Sequence, residues 1–307
     1  MRVVVALGGN AIHQRGERGT ASEQRASVRE ACEGLADLAA AGNELVVTHG
    51  NGPQVGALMV QHHAAEHSVP AMPLDVLVAQ TEGQLGYLMQ QELTGALRRR
   101  AIHVPVVSVV TQVVVDAADQ AFVRPTKPVG PYLSAEQARE LRRSSIPVTE
   151  VPGGAWRRVV PSPRPREIVE RDAIRALCEA GAVPIAAGGG GIPVVVEGSG
   201  FRGVEGVVDK DLTAALLAAA VDAGALVILT DVDRVILDRG TRRERAAERL
   251  TVEEARAALG EGQFPKGSMG PKIEATLQAV DDGRRAIICS LVEAAKALDG
   301  AGTEIVA

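Results

Sequence analysis

The first strand that the sequence predicts restricts the fold more than any other stretch. Residues 3–7 read Val-Val-Val-Ala-Leu, and Gly8, Gly9 and Asn10 follow them directly. An apolar run without polar alternation is typical of a strand buried on both faces of a parallel sheet. Glycines after such a strand let backbone N–H groups approach a ligand, and ligands bind at that edge of open α/β sheets. The stretch predicts either a ligand-binding turn or a tight connection without a ligand.

The composition favours an α/β fold and argues against a nucleic-acid-binding protein. Of 307 residues, 46% are hydrophobic and only 2% aromatic, and the formal net charge is −5. A core of Val, Leu, Ile and Ala suits a parallel sheet covered by helices, and the length allows one large α/β domain or two small ones. Few aromatic rings and a negative charge argue against a nucleic-acid partner. Any phosphate ligand must then be held by local lysines against the overall field.

Cysteine usage and hydropathy indicate a cytoplasmic protein. Cys32, Cys178 and Cys289 are far apart and odd in number, which fits neither a disulfide framework nor a zinc site. The N-terminus reads as a strand rather than a signal segment. No apolar run reaches the roughly 18 residues that would suggest a membrane span. We therefore expect no membrane association.

A second loop of glycine and asparagine follows the next predicted strand. After a predicted helix at about 21–41, an apolar strand at 44–48 ends in His-Gly-Asn-Gly-Pro at 49–53. Proline suits the first turn of a helix, and residues 54–63 have helical spacing. Two such loops on adjacent parallel strands would face each other across one crevice.

Two features of the following helices leave alternatives open. His63 and His67 are four residues apart and could hold a metal ion. Such a pair without carboxylate support is more often a solvated surface. The small and apolar residues of a helix predicted at 74–97 indicate close packing against a neighbour, which could be a second copy of the chain.

Residues 116–165 differ from the rest of the chain. Eight prolines and the only tryptophan fall here. So many prolines would interrupt the helices and strands of regular βαβ units. This composition predicts an inserted lid of short strands and turns. Lys127 lies between Pro125 and Pro128, so it is either a solvated loop lysine or a residue that the lid carries to a ligand.

Regular alternation resumes with a helix predicted at about 167–180 and a strand at 183–187. Four consecutive glycines at 188–191 are costly in conformational entropy, which predicts a close backbone approach. The sequence Gly-Ser-Gly-Phe-Arg-Gly at 198–203 matches the dinucleotide-binding fingerprint. A true fingerprint opens a helix at once, whereas residues 204–208 look extended. A dinucleotide site is therefore not favoured, and the sequence has no Walker phosphate-binding loop.

Two lysines are predicted where a helix dipole disfavours them. Lys210 stands between Asp209 and Asp211 before an apolar helix, and Lys272 follows a Gly/Ser loop before another helix. Helix N-termini favour acids and disfavour lysine by about 0.3–1 kcal/mol, so both ammonium groups are explained if they point at an anion. The aspartates would then orient Lys210 or hold Mg²⁺. The alternative is a local salt-bridge cluster.

The remaining motifs favour phosphoryl transfer. A strand predicted at 226–230 ends in Thr-Asp-Val-Asp at 230–233, which suits the edge of a nucleotide site or a plain turn. The sequence shows no Ser–His–Asp order, Cys–His pair or zinc cluster. Phosphoryl transfer without a covalent intermediate needs mainly positioning and positive charge. Lys127, Lys210 and Lys272 would supply that charge.

Motifs along nearly the whole chain resemble those of the carbamate kinases, a group within the amino acid kinase family. The most specific are Pro-Thr-Lys-Pro-Val-Gly-Pro at 125–131 and Trp-Arg-Arg-Val-Val-Pro-Ser-Pro at 156–163. The other matching stretches are 5–11, 49–56, 188–194, 208–211 and 267–275. The family commonly has Gly-Arg-Gly before the tryptophan, where this chain has Gly-Gly-Ala at 153–155. That departure bears on the hinge contacts of the lid rather than on the reaction.

The resemblance implies an α/β fold, an open αβα sandwich with a central, mostly parallel sheet and a protruding subdomain at about 116–165. It implies one domain over 1–307. A lobe at 1–224 would bind carbamate and carbamoyl phosphate, and a lobe at 225–307 would bind ADP and ATP. It also implies a homodimer, Mg²⁺ that arrives with the nucleotide rather than on assured protein ligands, and reversible phosphoryl transfer between carbamoyl phosphate and ADP. That reaction yields ATP and carbamate, as in arginine fermentation through the arginine deiminase pathway.

The resemblance also gives individual residues roles. Lys210 and Lys272 would contact the phosphates, Asp209 and Asp211 would orient Lys210, and Lys127 would close over the substrate from the lid. The residues expected around the carbamate and the transferred phosphoryl group are Gly8, Gly9, Asn10, Gly50 and Asn51. The residues expected to bind the nucleotide are Lys210, Thr230, Asp231, Val232, Met269 and Lys272.

Two other functions remain alternatives. A different small-molecule kinase of the same family would carry an acceptor-binding insertion in place of the segment around Lys127. A nucleotide-sensing protein without catalysis would not need Lys210, Lys272 and their flanking aspartates intact.

Overall fold

The computed structural model describes residues 1–9, 12, 18–151, 153–265 and 267–307. These residues form a central eight-stranded sheet in which every neighbouring pair is parallel except β16 and β17. In spatial order, with strands numbered along the chain, the sheet comprises β15 (Arg249–Thr251), β17 (Thr303–Val306), β16 (Arg285–Ser290), β12 (Ala225–Thr230), β1 (Arg2–Leu7), β2 (Glu44–His49), β9 (Val183–Ile185) and β3 (Val106–Ser108). The predicted mostly parallel sheet is confirmed.

The strand predicted at the start of the chain lies near the middle of this sheet. β1 pairs with β2 on one side and with β12 on the other. Its side chains at 3–7 are at most 1% exposed, because the strand is bonded along both edges and covered on both faces. Alternate residues therefore enter two different cores, Val3 and Val5 on one face and Val4 and Ala6 on the other.

Helices cover both faces and make the sandwich. On one face lie α1 (Ala21–Ala40), α3 (Leu74–Arg99) and a 3₁₀ segment at Leu291–Asp299. On the other face lie α5 (Arg171–Glu179), α6 (Lys210–Ala220), α7 (Val252–Gly260) and α8 (Met269–Asp281). The small and apolar residues of α3 pack largely inside the chain, where Gly86 lies against Ser108 of β3. No helix among the described residues is both long and apolar enough to cross a bilayer.

Smaller sheets extend this core. One is four-stranded, with β11 (Gly200–Gly203), β10 (Ile192–Glu197), β4 (Gln112–Val115) and β8 (Pro165–Ile168) in spatial order. A hairpin joins β13 (Val235–Leu237) to β14 (Arg245–Ala247). The glycine-rich sequence at 198–203 forms the turn and second strand of the β10–β11 hairpin, and no helix follows it directly. The rejection of a dinucleotide fingerprint is therefore confirmed.

The structure narrows the lid predicted at about 116–165 to a compact unit at 127–151 and 153–160, which we call the lid from here on. It contains β5 (Lys127–Leu133), α4 (Ala135–Arg143), β6 (Val148–Val151) and β7 (Ala155–Val160), with the strands antiparallel in the order β5-β7-β6. It packs on α2 (Gly52–Ala65) at a glycine–glycine crossing. A Cβ on Gly56 would lie 1.8 Å from the Cα of Gly130, so only glycine permits this approach.

The structure corrects three element predictions. Residues 165–168 form strand β8 against β4, so the helix predicted from 167 begins only at Arg171. The predicted lid of short strands and turns also contains α4, which Ser134 begins with a capping box to Gln137. α8 begins at Met269, so Lys272 lies inside the helix rather than before it.

Candidate active site

A cavity of about 370 Å³ opens where the carboxyl ends of β1, β2 and β12 meet the lid. The predicted residues that line it are Gly8, Gly9, Gly50, Asn51, Lys127, Asp209, Lys210, Asp211, Thr230, Asp231 and Lys272. Asn10 lies outside the described residues. Val232 and Met269 do not line the cavity, and the side chain of Met269 packs against the core. The sequence therefore identified most of one continuous surface.

The two glycine loops form the floor of the cavity. The Gly50 N–H donates to the Leu7 carbonyl at 3.1 Å, and the Gly8 N–H donates to the Leu229 carbonyl at 2.9 Å. A Cβ on Gly50 would lie 3.1 Å from the nitrogen of Gly9. These loops thus face each other as predicted, with bare backbone at the sheet edge.

Asn51 is fixed behind the floor rather than free in solvent. Its side chain is buried, and its amide donates to the Thr81 hydroxyl at 2.8 Å. Gly189 lies against the same amide, where a Cβ would be 2.1 Å from Nδ2. The close approach predicted for the four glycines at 188–191 is therefore confirmed.

Two lysines from different helices share one buried carboxylate. Lys210 Nζ donates to Asp211 Oδ1 at 2.5 Å, and Lys272 Nζ donates to Asp211 Oδ2 at 2.8 Å. The three side chains are 10%, 6% and 11% exposed for Lys210, Asp211 and Lys272. We call these three residues the buried triad. Packing of α6 against α8 brings them together, and the triad carries one positive charge when all three groups are ionised.

Burial and mutual charge set the protonation of the triad. Burial and the charge of Lys272 lower the pKa of Lys210 to about 8, although Asp211 opposes that shift. Burial would raise the pKa of Asp211, but the two ammonium groups outweigh burial and hold it well below its usual range. Burial lowers the pKa of Lys272 less than the Asp211 carboxylate raises it, so its net shift is upward. At neutral pH both lysines are charged and Asp211 is a carboxylate.

Lys127 reaches this region from the lid. Its Nζ donates to Asp209 Oδ2 at 3.0 Å and to the Val208 carbonyl at 3.1 Å. Asp209 is the N-cap of α6, where its Oδ1 accepts from the Asp211 N–H at 3.0 Å. One aspartate thus begins the helix that carries Lys210 and also receives the lid lysine.

Sequence reasoning missed Arg157, which lines the same cavity from β7. Its Nε and Nη2 both donate to the Gly130 carbonyl, at 3.0 and 2.8 Å. Burial lowers the pKa of this guanidinium, partly offset by Tyr132. The residue lies within the motif at 156–163, so its position was visible although its role was not. Gly267 and Ser268 of the Gly/Ser loop before α8 and Gly189 of the four-glycine run also line the cavity.

A second missed feature is a pair of buried titratable groups beneath the floor. His49 Nδ1 donates to the Gly50 carbonyl at 3.1 Å, and Glu82 Oε2 accepts from the Thr111 N–H at 2.9 Å. Burial lowers the pKa of His49 to about 4 and raises that of Glu82 well above its usual range. A Cβ on Gly188 would meet both side chains. His49 is therefore neutral at pH 7, and burial disfavours the charged form of Glu82.

The described residues contain no group of three His, Cys, Asp or Glu side chains placed to hold a metal ion. His63 of the predicted surface pair lies 3.2 Å from Glu66. Of the acids in the cavity, Asp209 and Asp211 each engage both carboxylate oxygens in hydrogen bonds. Direct metal ligation by these two acids would require those bonds to break.

The sequence profile of the amino acid kinase family matches residues 1–290. The chain is 46% identical over 309 residues to the carbamate kinase of Pyrococcus horikoshii, covering 99% of this chain and 98% of that protein. It is 48% identical over 312 residues to the carbamate kinase of Trichomonas vaginalis, covering 100% and 99%. The structure of Giardia lamblia carbamate kinase bound to citric acid superposes with a TM-score of 0.94 at 40% identity, covering 99% of this chain and 98% of that one.

A mostly parallel sandwich with lysines converging at its carboxyl edge defines a phosphotransferase, and the chain belongs to the amino acid kinase family. Within that family it belongs to the carbamate kinases, which it matches over nearly its full length.

Proposed function

We propose that this protein catalyses the reversible transfer of a phosphoryl group between carbamoyl phosphate and ADP, giving ATP and carbamate. The observation that carries the proposal is the convergence of Lys127, Lys210 and Lys272 on one cavity. Carbamate kinase relatives support it, as does the structure of Giardia lamblia carbamate kinase bound to AMP-PNP, with a TM-score of 0.90 at 40% identity.

The reaction asks for positive charge rather than proton transfer. The bond between the phosphoryl group and the carbamate oxygen breaks, and a bond to a β-phosphate oxygen of ADP forms. That oxygen is already ionised, and carbamate leaves as an anion. Catalysis is therefore mainly positioning and electrostatic stabilisation of the transferred group.

Each part of the cavity has a role in this proposal. Lys210 and Lys272 contact the transferred and nucleotide phosphates, with Asp211 fixing both ammonium groups. The loops at 8–9 and 50–51 receive the carbamate and the transferred phosphoryl group, while the N–H groups of Gly8 and Gly50 hold these loops in place on the Leu229 and Leu7 carbonyls. Lys127 closes over the substrate from the lid. Residues 1–224 then bind carbamoyl phosphate, and residues 225–307 bind the nucleotide through the loop after β12 and the start of α8.

Mg²⁺ fits this site as a companion of the nucleotide. Mg²⁺ in such enzymes is held by one or two carboxylates together with substrate phosphates and water. Asp231 lines the cavity, its Oδ1 accepts from the Thr230 hydroxyl at 3.1 Å, and it is the protein group that we propose for Mg²⁺. Bound Mg²⁺ would neutralise phosphate charge during transfer. A homodimer and a cytoplasmic location complete the proposal, and light scattering on the purified protein tests the dimer.

A coupled assay tests the reaction directly. With Mg²⁺, ADP and carbamoyl phosphate, we expect ATP formation, and the reverse reaction should proceed with carbamate but not with acetate or glutamate. Phosphorylation of an amino acid carboxylate in preference to carbamate would indicate the rival kinase. Nucleotide binding without any turnover would indicate the sensing protein.

A further inference from the structure

A second cavity of about 340 Å³ lies behind the lid, apart from the candidate active site. Its apolar lining comes from α2, from β5 and from the region around α4: Met59, Val60, Val129, Leu133, Leu141 and Ile146. This volume falls within the roughly 300–1,000 Å³ of small-molecule sites. None of its lining residues was assigned a role in phosphoryl transfer.

Arg158, a cation that lines this cavity, makes no salt bridge within the part of the chain that the structure describes. Arg158 lines it from β7, and its Nε is buried without a hydrogen-bond partner among the described residues. Burial lowers the pKa of this guanidinium, and the charge of Glu205 offsets only part of that shift. Glu140 also lines the cavity, but it is exposed and makes no ion pair with Arg158. An unpaired, partly desolvated guanidinium costs stability, so an anionic ligand would relieve it.

We propose that this cavity binds a small monocarboxylic acid with an apolar body, its carboxylate on Arg158 and its body among the six apolar side chains. A carboxylate matches the planar donors of a guanidinium, and the apolar walls exclude strongly hydrated anions such as inorganic phosphate. The observation specific to this site is a buried Nε without a hydrogen-bond partner among the described residues, on an arginine that lines a largely apolar cavity.

The fold connects this cavity to the candidate active site. Arg157 and Arg158 are neighbours on β7, so their side chains leave opposite faces of the strand. Arg157 lines the first cavity and Arg158 the second. Helix α2 likewise begins at the first cavity and lines the second with Gly56. A ligand there would brace the lid against α2 with Lys127 near Asp209 and lower the KM for carbamoyl phosphate; this effect, unlike the binding itself, rests on the proposed function.

Calorimetry on the full chain tests the binding without any turnover. The probe is 4-phenylbutanoate, with 4-phenylbutanol and 4-phenylbutylamine as matched analogues that keep the apolar body. We expect saturable binding of the acid, at least about tenfold tighter than that of either analogue. Saturating ADP should leave the affinity for the acid unchanged. Arg158→Met should weaken it at least about tenfold. Arg143→Met, which changes an exposed arginine of α4, should not.

Several outcomes would overturn the proposal. These are equal affinity for the acid and the alcohol, unchanged binding in Arg158→Met, competition by ADP, or no saturable binding of the acid at millimolar concentration. The melting temperature of Arg158→Met should not fall, because the change removes an unpaired buried donor. If that variant fails to fold, Leu133→Trp fills the cavity from β5 and should abolish binding. Because heat is measured without turnover, a failed kinase assay would leave this result intact.

Discussion

The two sides of the candidate active-site cavity hold their lysines in different ways. On the sheet side, the side chains of the buried triad are 6–11% exposed, and both oxygens of Asp211 are occupied. On the lid side, Lys127 and Asp209 are 23% and 17% exposed and are joined by one ion pair. The triad depends on packing between two core helices, whereas the lid pair bridges two separate units.

This difference separates permanent charge from movable charge. Removing one member of a buried ionic group leaves an uncompensated charge, so such a group stays assembled. A single, partly exposed ion pair contributes little to stability and can exchange its carboxylate for a phosphate. The triad would therefore be ready before substrate arrives, and the lid lysine would join only in the closed complex.

The largest loss of activity is expected for a substitution in the buried triad. Lys210→Ala should lower kcat about 10³-fold or more, because the charge on the moving phosphoryl group loses a preorganised partner. Circular dichroism should show an intact fold, because Asp211 keeps Lys272 as its partner and no uncompensated charge remains. The matched control is Lys296→Ala, which removes an exposed lysine far along the chain. Turnover near the wild-type value in Lys210→Ala would exclude this residue from the mechanism.

The lid side should give a smaller and more selective loss. Lys127→Ala should reduce kcat/KM for carbamoyl phosphate about 10²-fold, through a raised KM and a lowered kcat. ADP affinity measured alone by calorimetry should hardly change, because this charge acts mainly in the closed complex. Arg139→Ala, an exposed change on the same lid, is the control. Loss of ADP binding with normal carbamoyl phosphate kinetics would reverse the assignment of the lobes.

The pH profile of kcat/KM, which reports the free enzyme, should differ from that of kcat, which reports the enzyme with bound substrate. Since the pKa of Lys210 is lowered from 10.5 to about 8, kcat/KM should fall above pH 8 by up to about tenfold per pH unit. A bound phosphate raises that pKa, so kcat should fall only at higher pH. Between pH 8 and 10.5 the unfolded lysine binds the proton that the folded one has lost, so this group's contribution to stability rises with pH. A flat kcat/KM profile up to pH 10.5 would contradict the prediction.

The smallest effect concerns the contact between lid and core. Gly56→Ala places a Cβ 1.8 Å from the Gly130 Cα, so α2 or the lid must shift. We expect a loss of about 1–3 kcal/mol in the free energy of unfolding and a severalfold rise in KM for carbamoyl phosphate. Gly83→Ala is the matched control, because its Cβ meets nothing within 4 Å in helix α3. Gly83→Ala should raise the free energy of unfolding by about 0.5–1 kcal/mol. If Gly56→Ala and Gly83→Ala changed stability equally, the contact between Gly56 and Gly130 would not constrain the lid.

The sequence predicted the central layer well because its signals are local. An uninterrupted apolar run and the glycines after it specify both β1 and its exposed edge, and the loop at 49–53 repeats the pattern on β2. The lid was recognised as different but not resolved into elements, because its prolines conceal the capping box at Ser134 and Gln137. The strand β8 was taken as helix because its partner β4 lies about 50 residues earlier in the chain.

The site was predicted less completely, for a physical reason. Lysines at helix N-termini are locally anomalous, so Lys210 and Lys272 could be found. That both share Asp211 depends on the packing of α6 against α8, 61 residues apart in sequence, which no local pattern contains. His49, Glu82 and Arg158 look ordinary in sequence, and only burial makes them unusual.

The convergence of lysines also has a consequence for covalent chemistry. The sequence has five lysines against 28 arginines, and three of the five line the cavity, while Lys296 is exposed. Because the pKa of Lys210 is about 8, a larger fraction of its amine is unprotonated at neutral pH than in an ordinary lysine. An amine-selective acylating reagent that reaches the cavity should therefore react with Lys210. Peptide mapping by mass spectrometry should then show acylation of Lys210 that bound ADP suppresses and acylation of Lys296 that it does not. Because the chain has so few lysines, Lys210 and Lys296 would serve in one experiment as the protected and the unprotected labelling site.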